Sequence, residues 1–80
     1  MPTVARIGPY RFFFCSNERG ESAHVHVRRE RGLAKFWLEP VALASSVRFR
    51  AHELRAIERL VADRAADFVE AWNEFFGRTN

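Results

Sequence analysis

The chain of 80 residues has a single cysteine, Cys15, and no long hydrophobic run. One cysteine excludes an internal disulfide and any cysteine-rich zinc module, and it is typical of a reducing compartment. The longest apolar runs have about four residues, whereas a membrane-spanning helix needs roughly 20. The first residues also lack the pattern of a signal peptide. We therefore expect a cytoplasmic protein that does not bind membranes.

Lysine is scarce as well, because Lys35 is the only lysine among the 13 basic residues. The 10 acidic residues leave a net charge of +3 at neutral pH. Arginine side chains suit phosphates, carboxylates and aromatic rings, so their dominance favours an anionic partner such as RNA or an acidic protein. A net charge of this size also serves simply to keep a small domain soluble.

A chain of this length forms one domain, residues 1–80, and buries only about 60% of the surface that its unfolded form exposes. Its stability is therefore marginal unless something besides a single core contributes. What the chain has in excess is aromatic residues, with eight Phe, two Trp and one Tyr. They exceed what a small core needs, so we expect a partner protein or a second copy to cover some of them.

The N-terminal half alternates apolar and polar residues with period two, which predicts β-strands. Gly8-Pro9 is a turn dipeptide, and Arg31-Gly32 permits a tight reversal with Gly32 at positive φ. The strands predicted on this basis cover residues 3–7, 10–16, 23–29, 33–39 and 41–45.

The C-terminal half has apolar residues spaced by three and four from about Ala51 to Phe76, which predicts one long amphipathic helix. At roughly 1.5 Å per residue this helix would be about 39 Å long, longer than the strands that it covers. Trp72, Phe75 and Phe76 at its C-terminal end are predicted either to form a partner interface or to fold back on the N-terminal hairpin. The predicted fold class is α+β, a small antiparallel sheet of three to five strands packed on one C-terminal helix.

One face of the predicted sheet collects the residues that can carry chemistry. The valines of residues 23–29 and the apolar residues of 33–39 define the core face, so the residues between them point the other way. The residues on this second face are His24, His26, Arg28, Lys35, Trp37 and Glu39. A two-residue turn at Arg31-Gly32 sets the register. In that register His24 lies opposite Glu39, His26 opposite Trp37 and Arg28 opposite Lys35.

Imidazoles, a carboxylate and cations on one sheet face are the groups that cleave RNA phosphodiester bonds. Two of them exchange protons with the reacting oxygens, the cations stabilise the transition state, and an aromatic ring stacks on a base. The predicted catalytic residues are His24, His26 and Glu39, and the predicted substrate-binding residues are Arg28, Lys35 and Trp37. The alternative is that these side chains are ordinary occupants of a solvated sheet face.

Two histidines at positions i and i+2 of a strand can also share a metal ion, with Glu21 or Glu39 completing the shell. Two histidines alone are too few, and His52 is predicted at the helix start, with no reason to lie near them. We therefore predict no metal and no cofactor. Cys15 is expected to be a buried small apolar residue of its strand.

The sequence also contains a series of motifs that extends over about residues 4–77. They are Arg6 to Phe14, Ser16 to Glu18, Gly20-Glu21, His24 to Val27, Ala34 to Val41 and Glu53-Leu54. These motifs closely resemble the uncharacterised bacterial family named domain of unknown function forty-one sixty. Members of that family are often encoded beside a second small protein and are suspected to form toxin–antitoxin pairs. The resemblance implies a cytoplasmic protein whose natural partner is a small cognate protein encoded nearby.

Three positions depart from the pattern of that family. Ser22-Ala23 stands where members have a pair of prolines, and Cys15 stands where members commonly have an aromatic residue. Arg50 replaces a serine that would cap the helix and pair with Glu53 in a capping box. The lost cap is expected to cost about 0.5 to 2 kcal/mol.

These observations lead to three hypotheses about function. The first is the toxin component of a toxin–antitoxin pair, acting as a small metal-independent endoribonuclease. The second is a non-catalytic module that binds a protein or a nucleic acid, either as the antitoxin or as a partner-binding subunit. The third is a homodimer joined through sheet edges or helix ends.

Overall fold

The computed structural model describes residues 3–18 and 20–77. An antiparallel sheet of five strands, in the order β1-β2-β3-β4-β5, precedes two helices. The elements are β1 Thr3–Ile7, β2 Tyr10–Phe13, β3 His24–Arg29, β4 Gly32–Leu38, β5 Val41–Val47, α1 Ala51–Asp63 and α2 Ala65–Phe76. The predicted α+β class is confirmed, and all five predicted strands form. The second strand ends at Phe13 and not at residue 16, so the expectation that Cys15 is a buried residue of that strand is wrong, and Cys15 lies partly exposed after it. Within the described ranges, no helix has the length and apolar character needed to cross a membrane.

The core lies between one face of the sheet and the two helices. Val25 and Val27 of β3 and Phe36 of β4 are fully buried there, as are Ile57 and Val61 of α1. Val25 lies directly opposite Phe36 across the β3–β4 pair. Burial of each such side chain contributes about 1.5 to 3 kcal/mol. The predicted assignment of the apolar residues to the core face is thus confirmed.

The helical region begins and ends where the sequence predicts, but it is not one helix. The chain leaves helical geometry at Arg64, whose φ is −118° and ψ is 15°, and α2 starts at the next residue. The expectation of a single continuous helix is therefore wrong. The break lets the two halves cover different parts of the sheet, since α1 packs on β4 and β5 while α2 packs on β3 and β4.

The aromatic residues of α2 pack on the N-terminal hairpin. The ring centroid of Phe14 lies 5.3 Å from that of Trp72, edge to face, and 6.3 Å from that of Phe76. Trp72 and Phe76 are buried in this way, whereas Phe75 is 41% exposed. Of the three residues predicted as a partner interface, only Phe75 is left for a partner to contact.

The turn between β3 and β4 differs from the prediction by one position. It consists of Glu30 and Arg31, and the residue at positive φ is Glu30, at 54°, while Gly32 already belongs to β4. Glycine is needed at position 32 for a different reason, because a Cβ there would lie 2.7 Å from the ring of Phe49.

The shifted turn changes every predicted pair across β3 and β4. The observed pairs are His24 with Trp37, His26 with Lys35 and Arg28 with Leu33. The predicted pairs His24–Glu39, His26–Trp37 and Arg28–Lys35 are therefore wrong. The shift amounts to two residues along β4, an even number, so no side chain changes face.

Candidate binding site on the open face of the sheet

The face of the sheet turned away from the helices, which we call the open face, combines basic and aromatic side chains. Directly opposite residues of an antiparallel pair share a face, so the register of β1 to β4 defines its members. They are Thr3, Arg6, Arg11, Phe13, His24, His26, Arg28, Leu33, Lys35 and Trp37, of which His24 is fully buried. Phe13 is buried but lies outside the core cluster, which agrees with its position on this face.

Three arginines lie side by side across β1, β2 and β3, and we call them the arginine row. Arg6 is directly opposite Arg11, and Arg11 is directly opposite Arg28. Side chains in such positions start about 4.5 to 5.5 Å apart, and like charges there destabilise a sheet. Among residues 3–18 and 20–77, no carboxylate forms an ion pair with any of the three. The arginine row therefore carries uncompensated positive charge.

Arg11 is held in place by two neighbours on the same face. Its Nε donates a hydrogen bond to Oγ1 of Thr3 at 2.9 Å. Its guanidinium carbon lies 4.6 Å from the ring centroid of Phe13, within the range of a cation–π contact. The middle member of the arginine row is thus oriented without being neutralised.

Beside the arginine row lies a group that we call the histidine cluster, formed by Glu18, His24 and His26. Oε1 of Glu18 lies 2.7 Å from Nε2 of His24 and 2.7 Å from Nε2 of His26. Nδ1 of His24 lies 2.8 Å from the carbonyl oxygen of Ser22. A carbonyl oxygen only accepts hydrogen bonds, so Nδ1 of His24 donates to Ser22 while Nε2 faces the carboxylate of Glu18. His24 is fully buried, and Glu18 is the nearer of two carboxylates beside its ring, since Oε1 of Glu21 lies 3.9 Å from Nδ1.

Glu18 is the anion of this cluster. Burial by itself raises the pKa of the Glu18 carboxyl, but the hydrogen bonds from His26 and His24 and the charges of both rings outweigh burial, and the pKa is lowered. The carboxylate therefore stays ionised at neutral pH. Cys15 lies on the same loop, and burial together with the charge of Glu18 raises the pKa of its thiol.

Aromatic rings surround the two histidines. The ring of Phe13 stacks on that of His26, with centroids 5.3 Å apart and planes 21° apart. The ring of His24 lies between Trp37, at 5.5 Å, and Trp72, at 4.8 Å. This packing holds both imidazoles in defined orientations.

Of the predicted site residues, the structure brings His24, His26, Lys35 and Trp37 together. Nζ of Lys35 lies 4.6 Å from the ring centroid of Trp37 and donates to Oε1 of Glu21 at 2.8 Å. Lys35 and Trp37 thus form the edge of the open face that adjoins the histidine cluster.

Two predicted site residues do not have the neighbours that the sequence predicts. Glu39 follows the end of β4 and is exposed, and the carboxylate beside the histidines is that of Glu18 instead. Arg28 does not face Lys35 but belongs to the arginine row.

Sequence reasoning missed Glu18 and two members of the arginine row. The arginines carried a usable signal, because a two-residue turn at Gly8-Pro9 places Arg6 opposite Arg11. Glu18 carried none, because it lies on the loop between β2 and β3, and the position of a loop side chain depends on the folded chain around it.

The fold and the site together define a class, a small α+β protein with one sheet face that is both basic and aromatic. A family model for a domain of unknown function (DUF4160) matches residues 10–73, and the chain belongs to this family. The family resemblance of the sequence motifs is confirmed. Comparison with curated proteins and with solved structures gave no match.

Proposed function

We propose that the protein binds single-stranded RNA on the open face of its sheet. The observation that carries this proposal is the arginine row, three adjacent guanidinium groups with no carboxylate partner in the described part of the chain. The repulsion between them is relieved when an anion binds. Guanidinium groups match phosphate oxygens in bidentate geometry, so a phosphate backbone is the anion that fits them best.

The neighbouring residues favour a nucleic acid over a simple anion. Trp37 is half-buried, and Lys35 lies over its ring. Stacking of a base on an aromatic side chain contributes about 1 to 3 kcal/mol, and it requires bases that are not already stacked in a duplex. The combination of a basic row and an aromatic ring on one sheet face supports a single strand.

The negative charge of α2, which packs on the opposite face of the sheet, favours binding of RNA on the open face. The charged residues of α2 are Asp67, Glu70 and Glu74, all exposed, and the helix has no basic residue. A polyanion is repelled by this helix and attracted by the arginine row. The distribution of charge therefore directs RNA to the open face.

The experiment measures binding of a short fluorescent single-stranded RNA by anisotropy at several salt concentrations. The double variant Arg6→Ala, Arg28→Ala should bind at least about 10-fold more weakly, with a salt slope lower by about 1.4, since each lost phosphate contact on a single strand removes roughly 0.7. The matched control is Arg55→Ala, Arg59→Ala, which removes the same charge from the exposed surface of α1. An equal loss in both variants, or no binding by the wild type at low salt, would contradict the proposal.

A second candidate is the toxin of a toxin–antitoxin pair, acting as an endoribonuclease. The observation that favours it is the pair of His26 and Glu18, with Nε2 and Oε1 2.7 Å apart and the imidazole 12% exposed. Lys35 is directly opposite His26 and supplies a cation for the phosphate. Because His24 is buried and uses both ring nitrogens, proton transfer falls to His26 and Glu18.

Two measurements test this second candidate. RNA cleavage in the presence of a chelator should fall at least about 100-fold in His26→Gln, the usual cost of losing a general acid or base. The control variant His52→Gln, exposed on α1, should cleave like the wild type. Induced expression should arrest bacterial growth with the wild type and with His52→Gln but not with His26→Gln. Intact RNA after incubation with the wild type over a broad panel would remove the candidate.

A further inference from the structure

We propose that Cys15, Glu18 and His26, with His24 as the fourth ligand, bind a divalent transition metal ion of the zinc class. Sγ of Cys15, a carboxylate oxygen of Glu18 and a ring nitrogen of His26 all lie within 4.8 Å of one another. Nε2 of His24 lies 2.7 Å from Oε1 of Glu18, the same oxygen that contacts His26. Thiolate, carboxylate and imidazole are the ligands that zinc prefers, and four of them complete its tetrahedral shell.

The fold brings these four side chains together from two adjoining elements. His24 and His26 lie two residues apart on β3, so both project from the same side of the strand. Cys15 and Glu18 lie on the preceding loop, where the amide of Glu18 donates to the carbonyl oxygen of Cys15 at 3.3 Å. The thiol and the carboxylate lie beside His26, within 4.8 Å of its ring nitrogen. The rigid strand thus supplies two ligands, and the loop supplies the other two.

The surroundings orient the imidazoles as a metal site requires. A histidine that binds a metal through one nitrogen commonly donates its other N–H to a backbone carbonyl. Nδ1 of His24 makes this contact with Ser22 at 2.8 Å and thereby points Nε2 at Glu18. The ring of His26 is held by stacking on Phe13. These contacts fix the orientation of both rings, whereas His24 lies outside the group in which Cys15, Glu18 and His26 are mutually within 4.8 Å, so it must move closer to complete the shell.

A zinc ion would replace protons that the cluster holds in its metal-free state. With zinc–ligand distances of about 2.0 to 2.3 Å, neighbouring ligand atoms lie roughly 3.3 to 3.6 Å apart. The present distances from Oε1 of Glu18 to the two ring nitrogens are 2.7 Å, so these separations must increase by roughly 0.6 to 0.9 Å. Coordination through Nε2 displaces any proton on that nitrogen of either ring, so each bound neutral imidazole carries its proton on Nδ1, and the Cys15 thiol releases its proton. The ion also removes the repulsion between the Glu18 carboxylate and a Cys15 thiolate.

Metal binding and the second candidate function exclude each other. The ion and a transferable proton would occupy the same nitrogen of His26. Zinc should therefore inhibit any RNA cleavage that depends on His26, whereas it should leave binding of RNA by the arginine row in place.

The experiment titrates the reduced protein with Co²⁺ as a spectroscopic probe and then with Zn²⁺ in competition. We expect one ion per chain, the absorption of tetrahedral cobalt and a thiolate-to-cobalt charge-transfer band. Cys15→Ser should remove the charge-transfer band, and Cys15→Ser and His26→Gln should each weaken zinc binding by at least about 100-fold. This exceeds the roughly 10- to 100-fold cost of losing only an outer-shell contact.

The control is His52→Gln, which removes an exposed imidazole of α1 and should bind zinc like the wild type. A second readout is the unfolding temperature, which zinc should raise in the wild type and in His52→Gln because the ion binds the native state. Failure of the wild type to bind a stoichiometric ion would overturn the proposal. The same conclusion follows if Cys15→Ser and His26→Gln bind zinc as tightly as the wild type.

Discussion

The two faces of the sheet are made from alternate residues of the same strands, yet they differ in almost every physical respect. On the core face, Val27, Phe36 and their neighbours are fully buried and apolar. On the open face, the same strands carry the arginine row and two imidazoles that contact the carboxylate of Glu18. Burial of the apolar side chains on the core face stabilises the fold. The like charges held close together on the open face destabilise it. The difference indicates that the core face supplies most of the stability, and the open face is the one on which we propose that RNA binds.

The largest expected effect separates the two faces at neighbouring positions of β4. Phe36→Ala should lower the free energy of unfolding by about 3 to 5 kcal/mol, because it leaves a cavity in the core. Trp37→Ala, one residue further on the open face, should lower it by about 1 kcal/mol and should weaken RNA binding. Urea unfolding followed by circular dichroism measures both. Equal losses of unfolding free energy in the two variants would show that both faces contribute equally to stability.

A second prediction concerns the contribution of the histidine cluster to stability. Glu18→Ala removes the carboxylate that contacts Nε2 of the buried His24, leaving only Glu21 at 3.9 Å from Nδ1, and should lower the free energy of unfolding by about 3 kcal/mol. We expect the lower end of the range for broken buried pairs because the Glu18 side chain keeps 17% exposure. The measurement is made with a chelator present. Glu58→Ala, a charge-matched control on the exposed side of α1, should stay within about 0.5 kcal/mol of the wild type.

A third prediction tests how tightly the end of the core face is packed. Gly32 lies on this face, and a Cβ there would meet three carbons of the Phe49 ring at 2.7 to 3.0 Å. Gly32→Ala should therefore cost about 1 to 3 kcal/mol, the usual range for overpacking. At Gly20 a Cβ would have no atom within 4 Å, so Gly20→Ala should change stability far less in the same unfolding assay. A small effect at position 32 would mean that the Phe49 ring moves freely.

The smallest expected effect lies outside both faces, at the start of α1. The Glu53 carboxylate accepts a hydrogen bond from the amide of Arg50 at 3.1 Å, so half of a capping box is present. The other half needs a hydrogen-bond acceptor on the side chain of residue 50, and a guanidinium group has none. Its backbone, with φ −83° and ψ 160°, already has the extended geometry of a capping residue. Arg50→Ser should raise the free energy of unfolding by about 0.5 to 1 kcal/mol and leave RNA binding unchanged.

The elements of the fold were largely predictable because each depends on residues close in sequence. Alternation in β3 and β4 predicted which side chains enter the core, and the spacing of apolar residues predicted helical structure from Ala51 to Phe76. The register between β3 and β4 was harder to predict, since moving the turn by one residue, to Glu30-Arg31, replaces every cross-strand pair. The exact position of a tight turn depends on packing as well as on turn propensity, here the contact between Gly32 and Phe49.

The sequence by itself determined the class of fold, the two faces of the sheet and the position of His24 and His26 on the open face, because strand periodicity depends only on nearest neighbours. The tertiary structure alone decided that the helical region breaks at Arg64, that Trp72 and Phe76 pack on Phe14, and that Glu18 reaches both histidines. Each of these features depends on contacts between residues far apart in the chain. Such contacts form when the whole chain packs, and no local pattern encodes them.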